Sequence, residues 1–139
     1  MPAINEDLWP ELNLATIVTP LSILREQAAL LGKRTKGVLI GEVETWGVEE
    51  RISHSFNVAV PSLGDYKYRL FLIQHLPIGY PVYVTAWGQS LEDHFSQREK
   101  GMDEKTLADE NAFRNWLRLT LHSDEVKRII ENLYAQAST

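Results

Sequence analysis

The sequence predicts an α+β fold: an N-terminal helix, a roughly four-stranded antiparallel meander, and two to three C-terminal helices packed on one face of the sheet. Two observations carry this expectation. Apolar residues recur at helical spacing in the first and last thirds of the chain, and alternate with period two in the centre. The alternating segments are joined by short turns, with no helix between them, so hairpins are expected rather than parallel crossovers. No repeat, low-complexity tract or linker divides the chain, and 139 residues suit a single domain.

Residues 1–18 read as an irregular lead-in. Trp9 precedes Pro10 and is biased toward extended backbone, while Leu12 and Leu14 flank Asn13 as in a short edge strand. Thr19 suits the cap of the first helix, and Pro20 its first position, where the missing N–H costs nothing. Leu21, Leu24, Ala28 and Leu31, broadened by Ile23 and Leu30, form its apolar face; Gly32 and the following KRTK run are expected to end it.

A first strand is predicted over residues 37–46, with Val38, Ile40, Glu42 and Glu44 on one face and Leu39, Gly41, Val43 and Thr45 on the other. A second, over 52–60, alternates Ile52, His54, Phe56, Val58 and Val60 with Ser53, Ser55, Asn57 and Ala59. After the PSLGD turn, a third strand over 66–74 sets Tyr66, Tyr68, Leu70 and Leu72 against Lys67, Arg69, Phe71 and Ile73. A fourth covers 82–87. Ser90 and Asp93 mark a helix that should stop at Gly101, and Asp103 or Asp109 can start the next, whose stripe is Phe113, Trp116, Leu117 and Thr120. Ser123 caps the last helix, with Asp124 and Glu125 in its first turn, and Ile129, Ile130 and Leu133 are expected to be buried.

Composition narrows the function. With 44% hydrophobic and 24% charged residues, the chain can bury enough apolar area to offset its ordering entropy. The absence of cysteine removes disulfides, thiolate nucleophiles and thiolate zinc sites. Neither a signal peptide nor a spanning apolar run is present, so a soluble, cytoplasmic protein with no membrane partner is expected. A net charge of −5 argues against nucleic acid. The local basic cluster, Lys33, Arg34 and Lys36, reads as a helix end complementing the dipole.

Motifs for phosphate, dinucleotide or acyl-transfer chemistry are missing. His54, His75, His94 and His122 form no i, i+4 pair; His54 and His75 could meet if their strands are neighbours, although His54 continues an apolar face and is expected to be a hydrogen-bonded core residue. No catalytic residue, metal ligand or cofactor is assigned. Glu42 and Glu44 share a strand face, and Lys67 and Arg69 could meet them in a cross-strand charge ladder. Trp46 and Trp87, each followed by Gly at a strand end, are expected to lie apart. Glu42, Glu44, Trp46 and Trp87 are therefore the partner-binding candidates.

The expected function is a non-catalytic cytosolic protein-binding module, immunity-, antitoxin- or chaperone-like, with acidic residues facing a basic protein partner. The alternatives are a small enzyme or ligand-binding protein with its site between sheet and helices, and a homo-oligomeric structural protein. A homodimer is expected because the first and third strands look apolar on both faces, which would leave an exposed patch.

Overall fold

The computed structural model describes residues 6–14, 17–87 and 104–139. Helix α1 (Pro20–Arg34) is followed by strands β1 (Ile40–Val48), β2 (Arg51–Val60), β3 (Tyr66–His75), β4 (Val82–Trp87) and β5 (Lys105–Leu107), then by helices α2 (Glu110–Leu121) and α3 (Asp124–Ala137). The sheet is antiparallel throughout, in the order β1-β2-β3-β4-β5. The α+β class and the meander are those expected, with one strand more. The helix expected from Ser90 to Gly101 lies outside the described residues. Residues 6–14 carry no regular structure, so the short strand expected at Leu12–Leu14 does not form.

Local chemistry sets the helix ends. Thr19 Oγ1 accepts the Ser22 N–H at 3.1 Å and Ser22 Oγ accepts the Thr19 N–H at 3.0 Å, a reciprocal cap that Pro20 extends. Gly32 does not stop α1, because its φ is helical and the helix runs on to Arg34. The reversal comes at Lys36 and Gly37, both at positive φ, and Thr35 Oγ1 accepts the Leu39 N–H at 3.1 Å to lead the chain into β1. Asp109 caps α2 through the Ala112 N–H at 2.8 Å, and Ser123 caps α3 through the Val126 N–H at 3.2 Å.

The faces of β3 differ from the expected alternation. Phe56 pairs with Phe71 but Asn57 pairs with Arg69, which leaves Leu70 as an extra, bulged residue. The bulge shifts the side-chain parity within the strand. Tyr68, Phe71 and Ile73 consequently share the face of Phe56 and Val58, while Lys67, Arg69, Leu72 and Gln74 share the opposite face. A second bulge falls at Thr85 in β4. On β3, Phe71 and Ile73 are thereby fully buried and Leu72 is half-buried, while Ile40 of β1 remains 38% exposed, so the apolar patch expected from these two strands is smaller than the alternation implied.

The core lies between the sheet and the helices. Phe71 stacks on Phe56 at 5.4 Å and meets Trp116 of α2 edge-on at 5.0 Å. Leu133 is buried, but Ile129 and Ile130 are only half-buried, so the inward line of α3 is Val126 to Leu133 rather than the isoleucine pair. No helix among the described residues is long and apolar enough to cross a membrane.

Helix α1 crosses β1 at Gly41. A Cβ there would stand 2.5 Å from Ala28 Cα and 2.7 Å from Ala28 O, so two backbones meet where only hydrogen fits. Gly41→Ala is expected to destabilise the protein by about 1–3 kcal/mol, because the helix must move off the sheet. Gly47→Ala, with nothing within 4 Å of the new methyl, is the matched control, and its expected change is within about 0.5 kcal/mol. Urea midpoints of the two variants check this; equal midpoints would refute the tight crossing.

Candidate functional site

Two arrangements hold chemistry: a histidine pair sealed inside the protein and a groove open on its helical side. The histidines sit on adjacent strands and on the helix-facing side of the sheet. His54 pairs with Thr45 of β1 and Ile73 of β3, and His75 pairs with Ile52. This diagonal brings the two Nε2 atoms to 2.7 Å. Thr45 Oγ1 lies 2.8 Å from His54 Nδ1, and His75 Nδ1 lies 2.8 Å from the Leu76 carbonyl oxygen.

With both rings neutral, one set of protons satisfies all three contacts. A carbonyl oxygen only accepts, so His75 carries its proton on Nδ1 and its Nε2 accepts. His54 must then donate from Nε2, which leaves its Nδ1 to accept the Thr45 hydroxyl proton. Both rings are neutral in this arrangement. The His54 pKa is lowered from 6.5 to about 4, chiefly by burial, then by the proximity of His75 and of the Arg25 charge. With His54 1% and His75 6% exposed, neither nitrogen pair opens to a cleft. The pair is the satisfied core feature expected of His54, and no group of three or more potential metal ligands occurs among the described residues.

Three of the four partner-binding candidates, Glu42, Glu44 and Trp46, share the outer face of β1, and Trp87 lies apart on β4. Glu42 and Glu44 project from the outer face of the sheet, opposite the histidines. Lys67 reaches across β2 to bind both, at 2.8 Å to each carboxylate. Those two hydrogen bonds, to Glu42 first and then Glu44, raise the Lys67 pKa above its ordinary value. The expected charge ladder exists in this form, as a fork on one lysine. Trp46 is half-exposed on the edge strand β1. Trp87, on β4 and three strands from β1, pairs through its backbone with Phe71 of β3, so the backbones of the two tryptophans are roughly 14 Å or more apart. The expectation that they form no common site agrees with this spacing.

Further along the outer face, Arg51 of β2 ties together β3, β4 and Glu104, the residue just before β5. Its Nη1 donates to Gln74 Oε1 at 3.2 Å and to both Glu104 oxygens at 3.0 and 3.1 Å, and its guanidinium lies 4.1 Å over the Tyr83 ring.

The groove lies on the helical side, where α1, α2 and α3 diverge above Phe56, and has a volume of about 1080 Å³. Its walls are apolar: Leu30 and Leu31 from α1, Leu117 and Leu121 from α2, Val126 and Ile130 from α3. Its rim is cationic: Lys33 and Arg34, Arg114 and Arg118, and Lys127, against the one carboxylate of Glu131. Arg114 is held by Glu110 at 2.9 Å. Lys33, Arg34, Arg118 and Lys127 are in no ion pair among the described residues. Five of the fourteen Lys and Arg residues thus line the groove with one of the nineteen Asp and Glu, a local charge opposite to that of the chain.

Sequence reasoning missed this groove. Lys33 and Arg34 were visible as a helix end, but the other cations are scattered over two later helices. The available signal was the i, i+4 repeat of Arg114 and Arg118 alongside Leu117 and Leu121, with Lys127 and Ile130 repeating the theme. Comparison of the chain with protein-family models, curated proteins and solved structures gives no match.

The histidine pair generates a pH prediction. The unfolded chain takes a proton on His54 near pH 6.5 and the folded chain only near about 4. Between those values the unfolded state binds more protons, so stability is retained above pH 6.5 and falls as the pH drops toward 4. Nitrogen-edge NMR should show His54 protonated on Nε2 and His75 on Nδ1 at neutral pH. A His54 ring that titrates near its ordinary pKa would contradict the sealed, neutral pair.

Proposed function

We propose that the protein is a non-catalytic binding module whose docking surface is the helical groove, and that its ligand is an acidic polypeptide segment anchored by large apolar side chains. The observation that supports this reading is the charge inversion: a cationic rim around an apolar trough in a chain of net charge −5. An apolar trough favours buried anchors, and flanking cations select carboxylates and steer their approach. The cations come from three separate helices and include both arginines of α2. A polymer with several spaced carboxylates answers that distribution better than a small anion, which needs convergent donors. The groove replaces the outer face of β1 with Glu42, Glu44 and Trp46, and Trp87 on β4, as the proposed docking site, since Lys67 already engages both of those carboxylates. A cytoplasmic location belongs to the same proposal and is supported by the cysteine-free composition.

The test uses a fluorescent peptide of alternating Leu or Trp and Glu, read by anisotropy. Arg118→Glu with Lys127→Glu should weaken binding by about tenfold or more and flatten its salt dependence. Glu42→Gln with Glu44→Gln should leave it unchanged. Equal affinity of the charge-reversed protein, or tighter binding of a single-stranded oligonucleotide than of the peptide, would overturn the reading.

A further inference from the structure

We infer that the occupant of the groove is residues 6–14 of a second copy of this chain, exchanged reciprocally between two molecules; the inference rests on the groove being the docking surface proposed above. Within this segment Leu8, Trp9, Leu12 and Leu14 are 84%, 77%, 56% and 85% exposed. Four large apolar side chains within seven residues are a concentration of wet apolar surface that marks an interaction site. The segment carries Glu6, Asp7 and Glu11 and no basic residue. It has the chemistry the groove selects: apolar anchors interleaved with carboxylates.

Its backbone is prepared for docking as an extended strand of chain. Pro10 fixes its own φ, lacks an N–H and keeps Trp9 out of the helical region. Asp7 Oδ1 accepts the Trp9 N–H at 3.0 Å, a local turn that sets the backbone just before the tryptophan. A segment restrained in this way loses less freedom on binding than a flexible one. The anchors match the trough formed by Leu30, Leu31, Leu121 and Ile130, and the three carboxylates match Lys33, Arg34, Arg118 and Lys127, which are in no ion pair among the described residues.

The occupant is a second copy because the segment is off its own groove: every described side chain from Glu6 to Leu14 is exposed. Reciprocal exchange gives a closed pair with two identical segment-in-groove contacts. Once one segment is seated, the second binds at a high effective concentration, so two weak contacts act as one stronger one. The groove and the segment thus complete each other only in the dimer.

Sedimentation velocity of the full chain from about 1 to about 200 µM tests this, since assembly follows mass action. The wild type should pass from monomer to dimer across that range. Trp9→Ala with Leu12→Ala, which changes only exposed side chains, should remain monomeric, and so should Arg118→Glu with Lys127→Glu. Mixing the two variants should give a heterodimer markedly weaker than the wild-type dimer, because one copy supplies a groove and the other a segment and only one of the two contacts can form. A synthetic peptide of residues 6–14 should bind the wild type and dissociate its dimer. A wild type that stays monomeric at the highest concentration, or a dimer indifferent to the Trp9 and Leu12 changes, would overturn the inference. If the peptide binds but every form of the chain is monomeric, the segment closes on its own groove and exchange is refuted. If the designed Leu/Trp/Glu peptide binds while the 6–14 peptide does not, the inference falls and the docking surface stands. If neither peptide binds, both fall.

Discussion

Strand β2 is buried on both faces from Ser53 to Val60, and the rest of the fold is arranged around satisfying it. Polar side chains in such a strand have no water to fall back on, and an unmade hydrogen bond there costs about 1–3 kcal/mol. On the outer face, Ser53 Oγ accepts from Gln74 Nε2 at 2.9 Å and Ser55 Oγ accepts from Asn57 Nδ2 at 3.0 Å. On the inner face, His54 is satisfied at both nitrogens by Thr45 and His75. Apart from the Asn57–Ser55 bond, which lies within β2, these bonds come from both neighbouring strands. They fix the register of β1 and β3 on β2, because a one-residue slip would exchange the polar and apolar faces of the strand.

That constraint explains the bulge at Leu70. Without it, β3 would present Lys67, Arg69, Phe71 and Ile73 on one side, and either the cations would enter the core or Phe71 and Ile73 would leave it. The extra residue changes parity between Arg69 and Phe71, sending Lys67 to Glu42 and Glu44 on the outer face and Phe71 into the core. The outer face is then closed by the Arg51–Gln74–Glu104 contacts, which also dock the start of β5. An ion pair at this half-buried position gives geometry as much as energy, since desolvation offsets much of the attraction.

The helices and the first four strands were legible in the sequence because their signals are local. Thr19-Pro20, Asp109 and Ser123 each carry a cap in the residue itself, and period two in 52–60 reports a strand without knowledge of its neighbours. The missing features are those that depend on pairing. Residues Lys105–Leu107 are too few to show a period, and become a strand only because β4 offers an edge. The bulge at Leu70 is visible in sequence as a strand apolar on both sides, but that pattern fits a doubly buried strand equally well. The histidine contact was foreseen as conditional on adjacency, and Ile52 opposite His75 supplies the adjacency. The groove was not legible because net charge is a sum: −5 over the whole chain conceals five cations on three helices that sequence separates by almost a hundred residues.

The groove follows from how the three helices are anchored, not from a shortage of apolar side chains. Helix α1 is held on β1 by the Gly41–Ala28 crossing, which admits no displacement toward the sheet. Helix α2 is held by Phe113 and by Trp116 against Phe71. Helix α3 is tied at its far end, where Ser62 Oγ donates to the Ala137 carbonyl at 3.2 Å. Each anchor lies on a different part of the sheet and its connections, so the helices cannot slide together to close the space above Phe56. Their facing charges act in the same direction. Lys33 and Arg34 on one wall oppose Arg118 and Lys127 on the others, and like charges brought closer over an apolar floor repel more strongly as water is excluded. An apolar trough that packing cannot close and like charge holds open is relieved on both counts by an occupant that brings carboxylates to the rim and side chains to the floor.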